Sequence, residues 1–325
     1  MKVFEGQHFS LLYPQILSAF VRSPQEAVAS RVGPFFDLGP AVLDLAPDGN
    51  RWCLIRGRAL NPFFALYELS WLLSGSNELA GLQFYVRDYD KFSDDGKTLW
   101  GAYGYRLRRH FGTDQIEKAI ALLRSDPASR RVSMCIWSIE DLGRVSADIP
   151  CNVFVNLKIR AGRVDISVAN RSNDSFLGIP YNVLQFNCLQ KYIAGRLGLK
   201  AGRQVHFIDS LHLYEKDLPP VQRIVETSDE KSTLRSLQAV APSDLADYAR
   251  LDHHALVRDY DLPTGKNDQF CRVRDSFLLW KQGRRADALR LLPETEVGLV
   301  AIFWFVQRKG FDRITLPPWA LKAHV

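Results

Sequence analysis

Apolar residues first recur at helical spacing. Phe9 to Phe20 carries Leu12, Ile16 and Phe20 at intervals of four, which predicts a helix. Asn61-Pro62 is a helix-start signal, and Phe63, Leu66, Tyr67, Ser70 and Trp71 follow as one stripe. Glu68 lies inside this mostly apolar helix, an unusual place for a carboxylate. Ile116, Ala119, Ile120 and Leu123 mark another helix, stopped near Pro127. The period then drops to two. Val132, Met134 and Ile136 alternate with Arg131, Ser133 and Cys135. Val153, Val155, Leu157 and Ile159 alternate, Ala161-Gly162 signals a turn, and Val164, Ile166 and Val168 alternate after it. This predicts an antiparallel hairpin with one buried face. Asn182 to Leu197 reads as a helix ended by Gly198, and Gln204 to Tyr214 as strand. The order of helices, strands, helix and strands predicts an α+β layer fold with a mixed or antiparallel sheet.

From Pro219 onward the pattern changes. Glu226 to Asp247 is polar and reads as loop-like or marginally helical. Phe270, Val273, Phe277 and Trp280 form a helical stripe, and Val297 to Val306 a more buried helix. The last run has roughly half the ~20 residues a membrane helix needs. The expectation is a single domain over 1–325, with a catalytic body at 9–217 and a divergent region at 218–325 packed on it.

Composition narrows the class. Of 325 residues, 46% are hydrophobic and 24% charged, which excludes a disordered chain, a collagen and a coiled-coil rod. The net charge of +6 suits an anionic small molecule better than a nucleic-acid coat, which needs denser basic blocks. Met1 to Gln7 is charged without an apolar core, unlike a secretory signal. The five cysteines are odd in number, scattered and without a CxxC pair, which argues against a disulfide framework or a zinc site. The expected setting is a reducing cytoplasm, with no membrane and no metal.

Three clusters carry candidate chemistry. Ile149-Pro150-Cys151-Asn152 opens a strand. Asn170 to Asn182 is a polar loop between a strand and a helix, and Asp209-Ser210-Leu211-His212-Leu213-Tyr214 ends a strand. A cysteine near an arginine is a candidate nucleophile, because the cation stabilises the thiolate. Taken singly, Cys151 reads equally as a small buried hydrophobe, Arg171 as a surface charge, His212 as a satisfied strand histidine and Asn182 as a helix cap.

Together, in this order and spacing, the clusters resemble the thymidylate synthase family. Its Pro-Cys motif, its R-S-x-D-x-x-L-G-x-P-F/Y-N loop and its D-x-H-x-Y strand are all present. Arg130-Arg131 matches its paired arginines, and Lys200-Ala201-Gly202 its Leu-Lys-x-Gly turn. Tyr67 to Gly75 is similar to its Glu-Leu-x-Trp helix, Gly101-Ala102-Tyr103-Gly104 to its G-x-x-Y-G turn, and Arg31-Val32-Gly33 to its phosphate loop.

The resemblance implies one-carbon transfer from 5,10-methylenetetrahydrofolate, a co-substrate, to C5 of a pyrimidine nucleoside monophosphate. Cys151 would attack C6, with Arg171 lowering its pKa. Arg31, Arg171 and Ser172 would bind phosphate, joined by Arg130 and Arg131 from the partner of a homodimer. Asn182 would read the base, and its carboxamide favours uracil over cytosine. His212 and Tyr214 would hold the sugar hydroxyl. Glu68 would shuttle protons with a raised pKa, and Tyr103 would assist removal of the C5 proton. Asp174, Gly178 and Tyr181 would meet the folate.

Three departures bear on the product. Asn152 stands where a thymidylate synthase usually has His. Asp88 to Phe92 lacks the family's shielding indoles, and Thr315 to Val325 does not resemble its closing tail. A wetter site favours water over hydride at the C5 methylene, hence 5-hydroxymethylation of dUMP, with dCMP or CMP as further candidates. The alternatives are a divergent thymidylate synthase and a non-catalytic nucleotide- or RNA-binding protein.

Overall fold

The computed structural model of the chain describes residues 1–23, 26–308 and 315–322. Nine strands are described: β1 (Lys2–Gly6), β2 (Phe35–Asp37), β3 (Ala41–Leu45), β4 (Ser133–Cys135), β5 (Asn152–Arg160), β6 (Arg163–Asn170), β7 (Asn173–Asp174), β8 (Lys200–Ile208) and β9 (Leu211–Tyr214). They form a six-stranded sheet, ordered β1-β3-β8-β6-β5-β4, and a three-stranded one, ordered β2-β9-β7. The larger sheet is mixed: β1 with β3 and β6 with β8 are parallel, and its other pairs are antiparallel. With its many helices, the fold is α+β, as expected.

The hairpin forms as the alternation predicts. Arg160 pairs with Arg163, and Ala161 (φ 47°) and Gly162 (φ 70°) make the left-handed pair of a two-residue turn. Val164, Ile166 and Val168 are buried along β6. On β5 the alternation breaks. The register shifts between Asn152 and Phe154, and the Val153 carbonyl accepts both the Ile136 and Trp137 N–H groups, each at 2.9 Å. Asn152 and Val155, three apart, are therefore both buried, while Phe154 is exposed.

Three assignments differ from the sequence reading. Gln204 to Tyr214 is not one strand: β8 ends at Ile208, and β9 belongs to the other sheet. A local pattern cannot show which sheet a strand joins. The helix expected from Asn182 begins at Ile179 with Pro180 in its first turn, so Asn182 lies inside it and is not its cap. Lys200-Ala201-Gly202, expected as a turn, opens β8, and the turn precedes it at Gly198 (φ 71°).

The helix Pro62–Ser74 is buried at every position. The Asn61 carboxamide oxygen accepts the Phe64 N–H at 3.0 Å, and Gly75 (φ 70°) closes the other end. Its back is covered by the region after Pro219. The polar stretch there is helical at Glu230–Ala239 and Leu245–Tyr248. From the helices Gln269–Lys281 and Glu296–Val306, Phe277 stacks on Phe63 at 4.8 Å, and Trp304 and Phe305 each meet Phe63 at 5.2 Å. The Tyr248 hydroxyl bonds Ser70 Oγ at 2.6 Å and donates to the Leu66 carbonyl. Among the described residues, no helix is long and apolar enough to cross a membrane. The last three residues of the divergent C-terminal tail, 323–325, lie outside the described ones.

Candidate active site

Cys151 sits where the chain enters β5, half-buried and unbridged. Burial pushes its thiol up, the Arg171 cation pulls against that rise, and the Asp148 and Asp174 carboxylates add to it. Arg171 also braces the nucleophile's own segment. Its Nε donates to the Pro150 carbonyl at 2.9 Å, its Nη2 to the Ile149 carbonyl at 3.1 Å, and its backbone N–H to the Cys151 carbonyl at 3.0 Å. Arg31 reaches the same loop, donating to the Ser146 carbonyl at 2.6 Å. The Tyr214 phenol is influenced by Arg31, Arg171 and Cys151 together, so β9 brings it to this group. Beside it, Ser172 Oγ and His212 Nδ1 share a hydrogen bond of 3.1 Å.

A polar chamber lies next to the thiol. Burial pushes the Glu68 carboxyl up to about 8, and a hydrogen bond with Gln185 offsets only part of that. Glu68 Oε2 and Gln185 Oε1 have no hydrogen-bond partner among the described residues. Burial raises the Tyr103 phenol well above its ordinary value, and Cys151, Asp148 and Glu68 raise it further. One phenol therefore lies in the electrostatic field of the nucleophile and of two carboxyls. Asp148 is itself pushed up to about 6 by burial, although it accepts the Gly101 N–H at 2.7 Å.

Asn182 is oriented by a relay of carboxamides. Its Nδ2 donates to Asn173 Oδ1, and Asn173 Nδ2 donates to Asn170 Oδ1, both at 3.2 Å. Asp174 Oδ1 accepts the Phe176 and Leu177 N–H groups at 2.8 and 2.9 Å. Gly178 packs so closely that a Cβ there would fall 2.8 Å from Asn173 Oδ1. The Tyr181 ring meets Phe64 edge-on at 5.3 Å, and its hydroxyl accepts the Asn61 N–H at 3.3 Å.

Tyr89 was not among the candidates. Its ring packs on Phe64 and Phe92, each at 5.2 Å, and its hydroxyl is influenced by Glu68, Asp148, Tyr103 and Tyr181. The segment without indoles thus still supplies an aromatic wall, with a phenol facing the acids. Asp148 was also missed; its only signal was its place three residues before the cysteine. Arg130 and Arg131 behave differently. Both are exposed before β4, and neither guanidinium makes a hydrogen bond or ion pair with the residues above. Among the described residues, no three His, Cys, Asp or Glu side chains group as a metal site.

A thiol under a cation, a phenol and a buried acid beside it, and an oriented carboxamide can together add a nucleophile to an electron-poor ring and move protons around it. Comparison with known proteins finds relatives of this chain. Residues 48–264 match the family profile described as thymidylate synthase. The chain is similar to a deoxyuridylate hydroxymethyltransferase of Pseudomonas phage M6, 37% identical over 179 residues, covering 54% of this chain and 51% of that protein. It is also similar to a deoxyuridylate hydroxymethyltransferase of Bacillus phage SP01, 30% identical over 230 residues, covering 67% of this chain and 60% of that protein. The chain thus spans between 51% and 60% of the length of these curated relatives. With more than half of its residues inside the profile match, the chain belongs to the thymidylate synthase family.

Proposed function

We propose that this chain transfers a one-carbon unit from methylenetetrahydrofolate to C5 of a pyrimidine nucleoside monophosphate, most simply dUMP, and that the product is the 5-hydroxymethyl nucleotide. The convergence of Cys151, Arg171, Tyr103 and Glu68 carries this reading. The names of the two phage relatives support it.

Arg31, Arg171 and Ser172 would hold the phosphate, and the forked donors of the two arginines suit its oxygens. Bound phosphate would take donors that now brace the loop carbonyls. Asn182 Oδ1 would accept uracil N3–H, and its second N–H would donate to O4. His212 and Tyr214 would hold the sugar hydroxyl. Cys151 as thiolate would add to C6, sending the ring electrons toward O4. Glu68, largely protonated at pH 7, would supply the proton there through water. C5 then becomes nucleophilic. Tyr103 would pass on the C5 proton.

The co-substrate supplies carbon at the oxidation level of formaldehyde. The residues fit a pterin, because Asp174 Oδ2 has no hydrogen-bond partner among the described residues and Tyr181, Phe64 and Tyr89 form an aromatic face. The two exposed arginines, Arg130 and Arg131, would reach the phosphate of a second copy, making the working unit a homodimer.

A second reading, a divergent thymidylate synthase, draws on the aromatic wall of Tyr89, Phe92 and Phe64. Product mass separates the two. Each of dUMP, dCMP, UMP and CMP is incubated with methylenetetrahydrofolate. A hydroxymethyl mass gain without dihydrofolate is expected, while a methyl gain with stoichiometric dihydrofolate would overturn the first reading. Cys151→Ser is expected to abolish turnover and leave nucleotide binding intact. A wild type that binds nucleotide but forms no product, with Cys151→Ser leaving that binding unchanged, would favour the non-catalytic alternative.

A further inference from the structure

The residue after the nucleophile is aimed by a backbone irregularity. Val155 and Leu157 point into the protein and Phe154 out. Unbroken alternation would place Asn152 outside with Phe154. The bulge at Val153 reverses this, and Asn152 is fully buried. Neither its Nδ2 nor its Oδ1 completes a hydrogen bond with any described group.

A buried carboxamide with both ends empty is rare in native proteins, and a bound water or ligand is the usual resolution. The surroundings favour water. Asn152 stands near enough to the Tyr103 hydroxyl to act on it as a hydrogen-bond partner, yet does not seat a full bond. Glu68, with its own unpartnered Oε2, acts on the same hydroxyl, and Gln185 Oε1 beside Glu68 is also empty. Cys151 precedes Asn152 in the chain and also acts on Tyr103. A water needs two to four polar partners, and this group offers that many.

We infer that Asn152 determines the product: with Tyr103 it holds the water that adds to the exocyclic methylene on C5. A carboxamide offers an acceptor and a donor together, so it can take a water proton and leave an oxygen lone pair facing the carbon. The water oxygen bonds to the methylene carbon, and the π electrons move through C5 to O4. The released proton passes through Tyr103 to Glu68, left ionised by its earlier donation. The electron pair on O4 then restores the C5–C6 double bond and expels Cys151 as thiolate. No oxidant or reductant enters this step, whereas the methyl product requires a hydride.

This inference rests on the hydroxymethylation reading, and the experiment separates the two. Full-length protein is given dUMP tritiated at C5 together with methylenetetrahydrofolate. The readout is hydroxymethyl product formed per tritium released. Wild type is expected to give a ratio near one. Asn152→Leu keeps the size and removes both polar atoms. Its ratio is expected to fall about tenfold, the worth of one lost hydrogen bond, with the deficit appearing as uncoupled release or methyl product. Asn152→Ala, smaller and easier to fold, is expected to fall at least about threefold. A purely structural role would slow release and product together, and an unchanged ratio in whichever variant releases tritium overturns the inference alone. A wild-type protein that makes only the methyl nucleotide overturns the hydroxymethylation reading, and the inference with it.

Discussion

The substitution Glu68→Gln offers a direct measure of how dry the site is. Glutamine keeps the shape of the side chain and loses its proton. The folded carboxyl sits at about 8 against an ordinary value of 4.5, because it is buried in a helix with no exposed position. At ~1.4 kcal/mol per pKa unit, that displacement corresponds to roughly 5 kcal/mol. Below pH 4.5 the acid is protonated in both the folded and the unfolded chain, so the buried neutral form is not penalised. Between 4.5 and about 8 the unfolded chain gives up this proton and the folded one keeps it. Wild-type stability therefore falls as pH rises, by at most ~1.4 kcal/mol per unit, and the loss is complete above the folded value. The glutamine variant has no such slope. Urea melts followed by tryptophan fluorescence, at fixed protein concentration and at pH 4.5, 6, 7.5 and 9, supply the difference between the two proteins. Other titrating groups cancel in that difference. The variant should gain on wild type steadily with pH, by up to roughly 5 kcal/mol, a ceiling because water admitted to the site would share the charge. A flat difference would mean that the acid titrates normally and the site is wet around it. A variant that loses ground as pH rises would mean that the ionised carboxylate is favourably paired, and the proton-shuttle role would then fail as well.

Three further outcomes are expected. Arg106 and Asp141 form a two-pronged ion pair at 2.6 and 2.8 Å with no side-chain exposure, so Arg106→Met should cost about 3–5 kcal/mol in urea melts, and adding Asp141→Asn should recover part of it. Asn182→Asp should raise the ratio of kcat/KM for dCMP over dUMP at least about tenfold, because a base-reading carboxamide cannot match both rings; an unchanged ratio would remove Asn182 from base recognition. Phe277→Ala should cost about 3–5 kcal/mol and let water behind the Glu68 helix, moving the pH dependence that Glu68 imposes on kcat/KM to lower pH.

Local patterns made much of this molecule legible. The cap at Asn61, the hairpin at 161–162 and the apolar setting of Glu68 all follow from short-range spacing, and all appear in the structure. The motif residues Cys151, Arg171, Tyr103, Glu68, Tyr214 and Arg31, separated along the chain, are brought into mutual influence. What escaped has a common physical origin. Tyr89 lies in a short irregular helix, where neither a period of two nor one of 3.6 marks a buried face. Asp148 lies in an irregular loop of mixed character, and only its enclosure beside Gly101 and Tyr103 distinguishes it. Asn152 stands out in the sequence as a departure from the family, but its burial is concealed by the bulge, since alternation extrapolated from Val155 puts it on the wrong side. Only Asp209 and Ser210 separate β8 from β9, and two polar residues between apolar ones do not show that the chain changes sheets there.

The region after Pro219 gains a purpose from the geometry of one helix. At 3.6 residues per turn, Glu68 points roughly 140° from Phe63 and roughly 160° from Ser70. Glu68 and its partner Gln185 therefore occupy one side, while Phe63 and Ser70 occupy the other, where Phe277, Trp304, Phe305 and Tyr248 cover them. A carboxyl is held in its neutral form only if its helix is dry on both sides, because water entering from behind would solvate the ion as well as water entering from the front. The front belongs to the motif-bearing body. Most of the cover behind Phe63 comes from Phe277, Trp304 and Phe305, which lie beyond residue 264, where the profile match ends. The acid thus lies inside the profile match while its ionisation is set in part by residues outside it, and this accounts for the buried, aromatic character of the helices behind it.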